Sequence, residues 1–137
     1  MADPRAKRFD YAVEVRDAHA LAEGLQPLEV PEGWSPEHLV LAGLVRCTLT
    51  SLGYHARRLG LQASGGGRAT GEVTRRDDDG RYAFVHVECS LDVQVAPPPA
   101  GEQLHDLIAA AERDCFVGAS LTAKPHYRWR VNGGDLT

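Results

Sequence analysis

Three cysteines, Cys47, Cys89 and Cys115, are the residues of this 137-residue chain best suited to chemistry. Their wide spacing does not make a secreted disulfide framework, and in a cytosolic chain it points to buried thiols or redox chemistry. The three are unequal. Cys47 falls in the middle of an apolar helical stretch, where a free cysteine read alone is a small core hydrophobe. Cys115 falls at the junction of two helical segments; if it begins the second, free backbone N–H groups there can lower its pKa. Cys89 belongs to the apolar face of an alternating strand and reads as core. Zinc is a poor explanation, because the chain has no CxxC, HxxxH or HExxH. Its histidines, at 19, 38, 55, 86, 105 and 126, are scattered and read as solvated or capping residues. A Cys–His hydrolase needs a spatial pairing that spacing does not show. Gly65-Gly66-Gly67 is not a phosphate loop, since no Lys-Ser/Thr pair and no strand–turn–helix context follow it. Arg75-Arg76 beside Asp77-Asp78-Asp79 reads as a solvated hairpin end.

The elements that must position the thiols are legible from their periodicity. Phe9, Tyr11, Val13 and Val15 alternate with polar residues and predict a strand that ends near Arg16 and Asp17. Leu25 to Val30 predicts a short second strand broken by Pro27. Ser35-Pro36-Glu37 is a strong helix start, with a capping serine, a first-turn proline and an acidic residue at the positive end of the dipole. That helix is predicted over Pro36 to about Leu59, with Gly60 as its stop. Leu39 to Val45 is unbroken apolar sequence, which predicts an N-terminal half buried on all sides, at the centre of the molecule or of an oligomer. Gly43 would allow a neighbouring element to approach closely. Residues 61–76 and 81–95 predict a long hairpin turning at Asp77–Gly80, with Val85, Val87, Cys89, Leu91, Val93 and Val95 on its core face. A helix over Glu102–Arg113, a short helix after Cys115, a closing strand from His126 to Val131 and a frayed tail from Gly133 complete the order. Strands, long helix, hairpin, helices and strand make an α+β fold, and the length suits a single domain over 1–137.

Composition narrows the function. Hydrophobic residues make up 43% of the chain, which is globular composition. With 15 basic and 19 acidic residues the net charge is −4, which argues against general nucleic-acid binding. No apolar run approaches the roughly 18 residues that span a membrane. The polar N-terminus does not read as a signal peptide, so the expected compartment is the cytoplasm.

Ser35-Pro-Glu-His-Leu-Val-Leu-Ala-Gly-Leu-Val-Arg-Cys47 resembles the central-helix motif of the OsmC/Ohr family, the osmotically inducible and organic hydroperoxide resistance proteins. Glu37 and Cys47 stand ten positions apart, as in that motif. Glu112-Arg-Asp-Cys-Phe-Val-Gly-Ala-Ser-Leu121 and His126-Tyr-Arg-Trp-Arg-Val131 resemble the family's second cysteine motif and final aromatic strand. The likeness runs over about residues 9–133. It implies antiparallel sheets around a buried central helix in an intertwined homodimer, with active sites at the subunit interface. It also implies thiol peroxidase chemistry on an organic hydroperoxide. Cys47 would be the peroxidatic cysteine and Cys115 the resolving one, joined as a disulfide and reduced by an external thiol, in this family typically a lipoyl dithiol. No cofactor or metal is implied. An N-terminal arginine pairs with the motif glutamate in the family. Arg16 is the best positional match to it, ahead of Arg5 and Arg8. Arg46 departs from the small residue usual before the cysteine. The alternative is a divergent OsmC-like protein that binds a small hydrophobic ligand without peroxidase activity.

Geometry adds one expectation to this resemblance. Ten helical residues separate Glu37 from Cys47 by about 15 Å along the axis. Glu37 is therefore expected to serve the cysteine of a second chain, which an apolar helix in need of cover also favours.

Overall fold

The computed structural model describes residues 3–136, which divide into two compact units on either side of Pro36 and Glu37. The N-terminal unit holds a three-stranded antiparallel sheet of β1 (Glu14–Arg16), β2 (His19–Leu21) and β3 (Leu28–Glu29). Asp17, with a φ of 52°, turns β1 into β2. The strand expected from Phe9 is shorter than its alternation implies. Its pairing begins only at Glu14, opposite Leu21, and residues 9–13 have no strand opposite them among the described residues. Phe9, Tyr11, Val13 and Val15 are all exposed. Of the strand expected over 25–30, only Leu28 and Glu29, just past Pro27, are paired.

The long helix α1 spans Pro36–Arg58 and ends before Gly60, whose φ of 74° suits a residue without a Cβ. The C-terminal unit packs this helix against a four-stranded sheet in the order β4 (Gln62–Arg75), β5 (Tyr82–Ala96), β6 (His126–Val131) and β7 (Gly134–Asp135). The β4–β5 hairpin falls as expected, and Arg76 at its end is held by Asp79. β5 and β6 are parallel, the one such pairing among the described strands. The intervening chain is a crossover carrying α2 (Gly101–Arg113) and α3 (Phe116–Ser120), which two parallel neighbours require. The expected frayed tail is instead a hairpin. Asn132 and Gly133, with φ of 51° and 84°, form a two-residue turn that returns the chain as β7. Asn132 also clasps β5, its side chain accepting from Val95 N at 2.9 Å and donating to Val95 O at 3.1 Å.

The core lies between α1, α2 and the inner face of the sheet. Val87, Cys89, Leu91, Val93 and Val95 are buried as their alternation predicts. Val85 is not. A bulge moves the register from Glu72↔His86 to Val73↔Phe84, so Val85 turns outward and Phe84 packs on the core in its place. On α1 the buried residues are Leu44, Thr48, Ser51, Leu52 and Ala56, in the middle and second half of the helix. The expectation of a fully buried first half fails within this chain, where Leu39 and Val40 are exposed. Nor does Gly43 admit a neighbour, since a Cβ there would meet nothing within 4 Å. Close approach occurs on β4, where a Cβ at Gly67 would stand 3.2 Å from Val45 of α1 and 2.7 Å from Ser90 O.

Candidate functional site

Cys47 and Cys115, read from motifs in different parts of the chain, are brought together. Leu44, Thr48, Ser51 and Leu52 form the stripe by which α1 enters the core, so Cys47 sits at its margin, half-buried. Cys115 arrives from the other side. The helix α2 buries Leu107, Ile108 and Ala111, ends at Arg113, and hands the chain through Asp114 to Cys115, the N-cap of α3. Its fully buried Sγ accepts a hydrogen bond from Gly118 N–H at 3.4 Å. The junction is tied to α1 by His55 Nε2 and Asp114 Oδ2, 2.8 Å apart. Arg113, and then His55, hold the Asp114 carboxyl below the ordinary carboxylate range.

Cys115 is near enough to Cys47 to act on its protonation. Burial pushes the Cys47 thiol up and the Cys115 beside it adds to that, while the backbone N–H groups of Val117 and Phe116 act in the opposite direction. The net effect favours the protonated thiol. Cys89 lies deeper, fully buried and pushed up to about 11, chiefly by burial. All three thiols are free.

Sequence reasoning missed two residues of this cluster. Thr48 is fully buried, and its Oγ1 donates to Leu44 O at 2.8 Å and lies 3.4 Å from Cys115 Sγ. Its signal was a polar residue four positions after Leu44 and four before Leu52, on the core stripe. Tyr127 of β6 lies near Cys115, whose charge, after burial, is the main influence raising its phenol pKa. Its hydroxyl is buried without a hydrogen-bond partner.

Glu37 and Arg16 were the other two expected site residues. Glu37 is exposed in the first turn of α1, ten residues before Cys47. Arg16 lies in the N-terminal unit, on β1, where its Nε pairs with the Glu14 carboxylate. Arg46 is exposed. Among the described residues, no three His, Cys, Asp or Glu side chains gather as a metal ion would need. No helix is long and apolar enough to cross a membrane.

A crossover-built α+β unit that sets a half-buried thiol on a long helix against a buried thiol defines the class of fold. The chain belongs to the OsmC-like protein family, whose profile matches residues 29–130. Solved structures agree on the fold. A putative organic hydroperoxide resistance protein from Vibrio cholerae, with captopril in one of its active sites, is 19% identical with a TM-score of 0.63, covering 98% of this chain and 99% of its own. An OsmC-like protein from Mycoplasma pneumoniae is 15% identical with a TM-score of 0.64, over 92% and 96% of the two chains. The organic hydroperoxide resistance protein OhrB of Bacillus subtilis is 17% identical with a TM-score of 0.57, over 90% and 98%. No curated protein sequence matches the chain.

Proposed function

We propose that this protein is a thiol-dependent peroxidase that reduces organic hydroperoxides in the cytoplasm as a homodimer. The observation that carries the reading is the half-buried Cys47 thiol, next along α1 to Thr48, whose Oγ1 lies 3.4 Å from the buried Cys115 Sγ. The Cys47 thiolate attacks the terminal peroxide oxygen and the O–O bond breaks. The alkoxide leaves, takes up a proton as the alcohol, and Cys47 becomes a sulfenic acid. Cys115 then attacks the sulfenic sulfur, expels water and closes a Cys47–Cys115 disulfide before further oxidation. An external thiol, with a lipoyl dithiol as the reductant in the family's pattern, restores both thiols. The protonated state favoured at Cys47 requires a cation for activation. In this reading Arg16, held by Glu37 across a shared interface, supplies it. The exposed Leu39 and Val40 of α1 fit such an interface.

The raised Cys47 thiol also favours a second reading, an OsmC-like protein that binds a hydrophobic ligand without turnover. Cumene hydroperoxide consumption with dihydrolipoamide decides between them. Wild type should turn over and Cys47→Ser should not, and peptide mapping after peroxide should find Cys47 joined to Cys115 with Cys89 free. No consumption by wild type, or equal consumption by Cys47→Ser, rejects the peroxidase.

A further inference from the structure

Tyr127 Oη is the unassigned polar atom beside the thiol pair. It is buried and has no hydrogen-bond partner, an arrangement that costs free energy unless something uses the donor. Its neighbourhood is narrow. A Cβ at position 118 would stand 2.5 Å from Tyr127 Oη and 3.4 Å from Cys115 Sγ, so both atoms border the space that glycine leaves open. Two other donors near that sulfur are already used. Gly118 N–H already points at Cys115 Sγ, and the Thr48 hydroxyl gives its proton to Leu44 O. Thr48 Oγ1, 3.4 Å from Cys115 Sγ, is thereby left to accept from the Cys115 thiol. The phenol is the donor with nothing to do while Cys115 is a thiol, and it gains a partner when Cys115 carries negative charge.

We propose that Tyr127 donates a hydrogen bond to Cys115 as it leaves as a thiolate during disulfide reduction, and thereby directs the reductant to Cys47. The proposal rests on the Cys47–Cys115 disulfide of the peroxidase reading. An external dithiol attacks as its thiolate. The sulfur it reaches is Cys47, since Cys115 is fully buried. A new S–S bond forms between reductant and Cys47, the Cys47–Cys115 bond breaks, and its electron pair goes to Cys115 Sγ. The second thiol of the reductant then displaces Cys47 and leaves as a cyclic disulfide, and both cysteines take up protons from solvent. A stabilised thiolate is a better leaving group. The same stabilisation enlarges its thiolate fraction while lowering its nucleophilicity, so disulfide formation should change less than reduction.

The test forms the disulfide with diamide, which does not depend on peroxide chemistry, and follows its reduction by dithiothreitol in the intact protein. Tyr127→Phe should slow reduction about tenfold or more, the scale of one hydrogen bond to a charged group, and change the rate of disulfide formation less. Site-specific 3-fluorotyrosine at position 127 keeps the ring and strengthens the donor, so it should speed reduction; this arm stands even if Tyr127→Phe does not fold. Acid quenching during reduction by the monothiol glutathione, followed by alkylation in denaturant, should place glutathione on Cys47 and the alkyl group on Cys115. Equal reduction rates in all three proteins, an adduct on Cys115, or failure of diamide to join Cys47 to Cys115 would overturn the proposal. A protein inert to peroxide that still shows the Tyr127 effect would reject the peroxidase and leave the donor assignment standing.

Discussion

Gly118→Ala should destabilise the protein through one atom. The backbone of Gly118 is not left-handed, so alanine fits its conformation. Alanine is also the better helix residue, by about 0.5–1 kcal/mol at an interior position, and at the lower end in a helix as short as Phe116–Ser120. Against this stands the new Cβ, 2.5 Å from Tyr127 Oη, while its distances of 3.4 Å to Cys115 Sγ and 3.6 Å to Leu44 Cδ1 are ordinary contacts. The phenol cannot swing away cheaply, because Tyr127 pairs with Cys89 in the parallel ladder and its ring packs on the core. Overpacking of this kind costs about 1–3 kcal/mol. The net loss is then about 1.5 kcal/mol. With an m-value of about 2 kcal/mol/M the urea midpoint should fall by about 0.7 M at fixed protein concentration. The control removes the offending atom. Gly118→Ala combined with Tyr127→Phe should return to at least wild-type stability, because the clash is gone and the helix preference remains. An unchanged midpoint in the single variant, or a double variant no better than the single, would refute the reasoning.

Leu44→Ala removes a fully buried side chain between the helices and the sheet and should cost about 2–5 kcal/mol in urea denaturation. Asp114 sets a pH dependence. Its folded-state carboxyl lies below the unfolded value, so its contribution is complete above about pH 4 and is lost as pH falls through the folded value. Asp114→Asn should therefore flatten the acid limb of stability against pH. An unchanged acid limb would remove Asp114 from the account.

The fold was most legible where local chemistry and tertiary packing agree. Proline, glutamate and Gly60 bounded α1 within a residue, and the alternation around Cys89 gave β5 its inner face. It was least legible where pairing decides. No residue type marks the bulge that turns Val85 outward, because that choice depends on what β4 offers opposite. The return into β7 is readable in Asn132-Gly133, a turn signal, although Gly133-Gly134 alone reads equally well as a fraying end. At the site the motif spacing singled out Cys47 and Cys115, and their adjacency follows from the crossover. Thr48 and Tyr127 were hidden because each reads as an ordinary member of an inward face. Only the packing of α1 on β6 and α3 makes them neighbours of a sulfur.

The parallel pairing of β5 with β6 has a kinetic corollary. Thr48 and Cys115 meet across 67 positions of sequence. Nothing local draws them together; it is the crossover from β5 to β6 that carries Cys115 back to α1. Closing so long a loop is a late and slow event compared with forming a helix or a hairpin. Until that long-range contact closes, Cys47 has no Cys115 beside it. Completion of the topology is what brings the second thiol to it, so the dithiol belongs to the finished molecule and to none of its parts.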